Sequence, residues 1–205
     1  LPEGDVNRLI PIGTPVSYVQ PQFSMGVGIL AGKSMDDRAC FALLLRALEL
    51  MDPQKLDADV YVLGSVGEET DSRGAITAVH RIAPDYAVAV DVTFGKSPDC
   101  SGDDCFPLGE NAIVGVGPNI ANWMFRRMKE KAAQRQIPIQ VEVMAGSSGT
   151  NGWDIQIQRS GIATAILSIP LRYMHTPVEV IHEKDLELSA RLLAAFVEHI
   201  GKEGQ

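Results

Sequence analysis

Cysteine is scarce in this sequence: there are three in 205 residues, an odd number that does not read as a disulfide framework. A reducing, cytoplasmic setting is the default such a count implies. Cys100 and Cys105, in "PDCSGDDC", have no second Cys or His pair nearby, which argues against a structural zinc site and leaves loop thiols without a role. Long apolar runs are missing too, and none approaches the roughly 18 residues needed to span a bilayer. The opening "LPEGDVNRLI" lacks the layout of a signal peptide. Basic charge is in deficit: 18 Lys and Arg against 26 Asp and Glu give a net charge of −8. Nothing is left over to neutralise phosphates, so nucleic acid and anionic membranes are poor partners. H-E-x-x-H, G-x-S-x-G and G-x-x-x-x-G-K-[ST] do not occur, which removes three common chemistries. No internal repeat or low-complexity tract is present.

What is present is an ordinary globular composition, 45% hydrophobic and 21% charged, in a length that suits one full-sized core. Residues 1–30 read as strands and turns, with "TPVSYVQ" and "MGVGIL" as short extended pieces broken by Pro and Gly. They look like the tail of something β-rich, and the chain is expected to be part of a longer one. From residue 36 the pattern changes. "DDRACFALLLRALELM" has apolar residues at helical spacing and stops at "DP". "ADVYVLGSV" is a near-continuous apolar run, the pattern of a strand buried on both faces. The helix "DSRGAITAVHRI" and the buried strand "YAVAVDV" follow. After a Gly/Pro/Asp loop come the strand "NAIVGVG", the helix "NIANWMFRRMKEKAAQRQ" and the strand "IQVEVM". A helix "TNGWDIQIQRS", the strand "IATAILSI" and a closing helix over 183–200 complete the chain. Strands alternating with helices mean an α/β fold with helices on both faces of the sheet.

In open α/β sheets, sites form outside the carboxyl ends of the strands. Glu68 and Glu69 follow the run 58–66, Asp91 follows "YAVAV", and His175 follows "TAILSIP" through "LRYM". Asp36 and Asp37 stand just before the first long helix. Each has a plain structural reading. Glu68 and Glu69 fit a solvated turn before a helix capped by Thr70, Asp71 or Ser72, and one of Asp36 and Asp37 fits a helix cap. Asp91 fits a turn, and His175 a core or surface histidine. His80, His182 and His199 fall in or near helices and are left structural. Taken together, several carboxylates and a histidine converging on one edge suggest a divalent metal site, because a cation makes such a charge cluster tolerable. Carboxylates with an imidazole suit zinc, cobalt or manganese, and a bridging Asp suits the ion separation of two-metal hydrolases. Adjacent strand residues point to opposite sides, so Glu68 and Glu69 are free to divide the work.

The segments "KSMDDRAC", "GSVGEET", "AVDVT", "GTNGWDIQ" and "IPLRYMHTPVEVI" together resemble the TET-type dinuclear-metal aminopeptidases, some of which were historically labelled endoglucanases or cellulases. The match runs over nearly all of residues 12–200. It implies a zinc-exopeptidase-type, three-layer α/β/α mixed sheet for residues 31–205, incomplete on its N-terminal side. Residues 1–30 would be the remnant of an inserted β domain that drives oligomerisation, from dimers up to dodecamers. Asp36 would bridge two divalent ions and join Asp37 through a cis peptide. Glu69 and His175 would complete one ion's ligands, and Asp91 would hold the other. Glu68 would be the general base, taking a proton from water activated by the metals and passing it to the leaving amine. Gly149 and Thr150 would line the substrate cleft, although Asn151 stands where many relatives have Asp.

The substrates implied are short peptides. The family has a further His ligand, in an H-x-D arrangement, that these 205 residues do not contain. This chain alone is therefore expected to bind the ion at Asp36, Glu69 and His175 better than the other, and to be a poor catalyst. Two alternatives stand beside this reading. One is an endoglucanase-type glycoside hydrolase, which would use two carboxylates across a cleft and no metal. The other is an inactive assembly subunit.

Overall fold

A computed structural model describes residues 1–203. In chain order the elements are α1 (Glu3–Leu9), β1 (Phe23–Gly26), β2 (Ile29–Gly32), α2 (Met35–Leu50), α3 (Glu68–Asp71) and α4 (Arg73–Ile82). Next come β3 (Tyr86–Phe94), β4 (Ala112–Val116), α5 (Asn122–Gln134), β5 (Ile139–Val143) and α6 (Asn151–Ile155). β6 (Ala163–Leu171), β7 (Glu179–His182), α7 (Glu183–Val197) and α8 (Ile200–Glu203) close the chain. The main sheet has the order β3-β6-β4-β5, with β3 parallel to β6, β4 antiparallel to β6, and β5 parallel to β4. A smaller antiparallel sheet has the order β1-β2-β7. The fold is a mixed α/β arrangement, as the alternation of patterns implies.

Strand parity sorts the core into two layers. Val88, Val90 and Val92 of β3 and Leu167 and Ile169 of β6 face α2, α5 and α7, whose Leu43, Met124, Met128, Leu192 and Phe196 are fully buried among them. Ala87 faces the other way, against Ala75 and Val79 of α4 and Ile155 of α6. Ala89 and Ile166 share that second face with Ile120 and Met144. Helices therefore cover both faces of the main sheet, which is why its strands read as unbroken apolar runs.

Several expectations are corrected. Residues 3–9 are helical, and "TPVSYVQ" forms no strand; β1 and β2 flank the turn inside "MGVGIL" instead. Val16, Tyr18 and Val19 of that segment are exposed, so their β-forming side chains have no sheet to join. "TNGWDIQIQRS" is helical only over Asn151–Ile155, and the strand β7 is additional. The run 58–66 is not a strand. Glu68 and Glu69 lie on the short helix α3, not at a strand tip, because Gly67 at φ 73° turns the chain into it. Cys100 and Cys105 are disulfide-bonded, leaving Cys40 as the free, buried thiol. Reciprocal hydrogen bonds between the Ser97 and Cys100 backbones curl the loop, so that the cysteine Cα atoms stand 6.1 Å apart, within bridging reach. Among the described residues no helix is long and apolar enough to cross a membrane.

Candidate metal centre

Backbone register builds the site. β2 pairs with β7 so that Gly32 stands opposite Glu179, and the chain leaving β2 passes the Glu179 side chain as it enters α2. Asp36 donates its backbone N–H to Glu179 Oε2 at 3.1 Å. The other oxygen, Oε1, accepts the His175 backbone N–H at 2.9 Å. One carboxylate thus clamps both Asp36 and His175, and it is almost fully buried at 2% exposure. His175 sits at φ 61°, a left-handed conformation uncommon for a residue with a Cβ, and the bond to Glu179 holds it there. Glu179 was missed in the sequence reading. Its signal was an acidic residue opening the apolar run "VEVI", which a buried strand tolerates only when the carboxylate has partners.

The other members arrive from separate elements. Asp36 (φ −78°, ψ 106°) and Asp37 (φ −121°, ψ 45°) precede the regular part of α2, and the peptide bond between them is cis. Asp37 Oδ1 accepts the Cys40 N–H at 3.2 Å, so it also caps the helix. Asp91 lies in β3 and accepts the N–H of Val92 at 2.8 Å. Glu68 and Glu69 open α3. His175 Nε2 is 3.1 Å from Asp36 Oδ2 and 3.2 Å from Glu69 Oε2.

Two donor groups result, Asp36/Glu69/His175 and Asp36/Asp37/Asp91, each with one ligand atom per residue within 4.8 Å of the others. Asp36 belongs to both. Burial, helped by the charges of Glu69 and Glu179, pushes the Asp36 carboxyl up to about 6. Burial raises Asp37 to about 7, and burial with the Asp37 charge raises Asp91 to about 9. Burial and the neighbouring Glu69 charge also raise Glu68. So much crowded negative charge is disfavoured without a cation, and the O,O,N and O,O,O donor sets fit divalent ions.

The remaining expected residues fall as follows. Gly149, at φ 66°, borders an acidic recess with Glu68, Glu69 and Asp71. Thr150 is buried, and its hydroxyl accepts the Gly152 N–H at 3.1 Å as the cap of α6. Asn151 Oδ1 accepts a hydrogen bond from Ser65 Oγ at 2.6 Å, so it braces the segment before α3. His182 caps α7 through Nδ1, which accepts the Lys184 N–H at 3.1 Å. Its role is structural, as expected.

Comparison with known proteins identifies relatives of the fold and of the chain. A family model described as M42 glutamyl aminopeptidase matches residues 2–192. Lysyl aminopeptidase of Pyrococcus furiosus is 38% identical over 166 residues, covering 81% of this chain and 47% of the relative. Aminopeptidase APDkam598 from the archaeon Desulfurococcus kamchatkensis superposes with a TM-score of 0.86 at 29% identity, over 98% of this chain and 58% of that one. A Thermotoga maritima protein named endoglucanase shares the fold, with a TM-score of 0.73 at 23% identity over 98% of this chain and 60% of its own. The chain spans about half the length of the curated relatives it matches.

Proposed function

Because this chain belongs to the M42 glutamyl aminopeptidase family, we propose that it carries the catalytic core of a metal-dependent aminopeptidase that removes N-terminal residues from short peptides. The carrying observation is the His175–Asp36–Glu69 contact at 3.1 and 3.2 Å, with Asp36 shared by a second carboxylate group. Asp36, Glu69 and His175 would hold one divalent ion, and Asp36 with Asp91 the other. A bound zinc, cobalt or manganese ion supplies Lewis acidity, polarising a carbonyl and lowering the pKa of water.

The chain's own residues do the rest. Glu68 stands beside Asp36 and Glu69 at the cleft mouth, and its raised pKa suits a carboxylate that accepts a proton and then gives it up. It would take the proton from the attacking water and deliver it to the departing amine nitrogen. Glu179 fixes Asp36 and His175 relative to each other. Gly149 leaves room at the recess beside Glu68 and Glu69. Assembly into homo-oligomers, from dimers to dodecamers, belongs to the same proposal, with residues 1–30 as the remnant of the assembling domain and 31–205 as the catalytic one.

The test is hydrolysis of amino-acid p-nitroanilides with cobalt or zinc, by this chain and by a longer form of the protein. Activity is expected to vanish with EDTA and to fall by about 10²–10⁴-fold in Glu68→Gln, the span general-base loss commonly produces. Activity that survives Glu68→Gln refutes the assigned base. EDTA-resistant cleavage of a β-glucan would instead favour the glycosidase, which needs two carboxylates about 5–10 Å apart. Glu68 and Glu69 are neighbours on one short helix, an arrangement that favours the peptidase.

A further inference from the structure

β3 and β6 run side by side to the end of the main sheet and then part. Their last rung is the Gly95 N–H donating to the Leu171 carbonyl at 2.8 Å. A Cβ on residue 95 would stand 3.0 Å from that carbonyl oxygen and 2.6 Å from the Leu108 side chain, so glycine sets the approach. Beyond this rung β6 turns into the hairpin that carries His175, while β3, which carries Asp91, leads into loop 96–106. The Arg172 side chain spans the fork. Its Nε donates to the Lys96 carbonyl at 2.5 Å, and its backbone exchanges hydrogen bonds with Val180 at 2.9 and 3.1 Å to close the hairpin root.

Packing does not hold His175 in place. Its side chain is 64% exposed, and Tyr173 and His175 both take left-handed φ values, 62° and 61°, which residues with a Cβ seldom adopt unheld. Glu179 holds the turn from within, and the hairpin root sets where the turn stands. What Arg172 grips at that root is itself braced. The Lys96 N–H donates to the Phe106 carbonyl at 2.8 Å, and the Phe106 N–H to the Phe94 carbonyl at 2.8 Å. Ser97 and Cys100 exchange backbone bonds on the near side of the loop, and the Cys100–Cys105 disulfide fastens that side to the residue before Phe106. Cys105 and Phe106 are buried, Cys100 is half-buried, and the stretch between the cysteines is exposed. Asp99, Asp103 and Asp104 repel one another across this loop, and the bridge opposes their spreading.

We propose that Arg172 is a positioning residue for the ion site at His175, and that the Cys100–Cys105 bridge is a redox switch acting through it. This rests on the metal-centre reading above. Closed, the loop presents the Lys96 carbonyl to Arg172, which fixes the hairpin against the strand carrying Asp91. Opened, the loop releases that carbonyl, and His175 Nε2 loses its registration with Asp36 and Glu69. The co-reactant is a small monothiol. Its thiolate attacks the sulfur of Cys100, the more exposed partner, giving a mixed disulfide while Cys105 leaves as a thiolate and takes up a proton. A second thiolate attacks the outer sulfur of the mixed disulfide and departs as the small disulfide, freeing Cys100, which is protonated in turn. The protein is thereby reduced by two electrons, and the reverse exchange closes the loop again.

Calorimetric titration with cobalt reads the switch without peptide cleavage, on the whole chain freed of thiol reagents. The bridge is opened in two ways, by millimolar glutathione followed by iodoacetamide and desalting, and by the double variant Cys100→Ser/Cys105→Ser. Either should weaken the tighter ion at least about threefold. A group bonded to the ligand itself commonly gives about 10–100-fold, and Arg172 acts one step further out. Arg172→Met keeps the stem, loses the donor and should weaken the ion by a similar factor. Opening the bridge in that variant should then add nothing, the non-additivity of two groups on one path. Equal further losses in both backgrounds overturn the proposal. So does an unchanged affinity on opening, the result expected of a staple that only lowers the melting temperature when cut. A bridge that glutathione opens only in denaturant overturns it as well, with buried Cys40 as the unreactive reference in the folded chain. His175→Ala separates the two readings. If it leaves the tighter ion bound, the metal-centre reading falls and this one with it; if it removes that ion while the bridge has no effect, this inference alone falls.

Discussion

Replacing Glu179 with alanine separates a positioning role from mere packing. The carboxylate accepts the Asp36 N–H at 3.1 Å and the His175 N–H at 2.9 Å. With the side chain gone, both part-buried donors lose their partner; a fully buried unsatisfied donor costs about 1–3 kcal/mol, and access to water holds these two near the lower bound. Together they cost about 1–2 kcal/mol, read as a shift in the urea midpoint at constant slope. His175 at φ 61° is then free to relax toward ordinary backbone, carrying Nε2 away from Asp36 and Glu69. Loss of an outer partner of this kind commonly weakens metal binding by about 10–100-fold, and calorimetric titration with cobalt or zinc measures it. Glu179→Gln keeps one acceptor oxygen and should retain more of both properties. The reasoning fails if Glu179→Ala unfolds within about 0.5 kcal/mol of the parent, the usual range for inconsequential surface changes, and binds the ion with unchanged affinity.

Three further outcomes are expected. Titration of this chain should show one tighter ion, lost in His175→Ala, and a weaker second one; two equal, tight sites would contradict the assignment of ligands. Reducing the Cys100–Cys105 bridge, or Cys105→Ser, removes the closure of a short loop with a sequence separation of 5. The cost is about 2 kcal/mol, or roughly 4–8 °C in melting temperature for a chain of this size, with three titratable thiols in denaturant after reduction and one before it. Asp185 is fully buried, and burial pushes its carboxyl up from 3.8 to about 6 although the Gly109 N–H donates to Oδ2 at 2.6 Å. Its raised pKa means that the folded state holds the extra proton, so stability falls as pH rises from about 4 to 6, by up to about 3 kcal/mol. Asp185→Asn should flatten that part of the stability profile measured by urea unfolding.

Much of the fold is legible in the sequence because burial leaves a periodic trace. α2, β3, α5, β5, β6 and α7 fall where their apolar spacing puts them. The candidate site was legible only as a set, since no single one of Asp36, Glu69, Asp91 and His175 excludes a structural role. What escaped has physical reasons. α3 depends on one glycine's positive φ, and the disulfide on a loop curl set by Ser97 and Cys100. β7 is four residues long, too short for periodicity, and it carries Glu179, whose partners are far away in sequence. The run 58–66 failed differently. Its composition is that of a buried strand, but composition alone does not say what packs against it as cover. Val88 and Val90 obtain theirs from α2 and α7 within the chain, whereas Tyr61 and Val66, with the same character, obtain none. Apolar composition thus records a segment's character, while its burial depends on which elements pack against it.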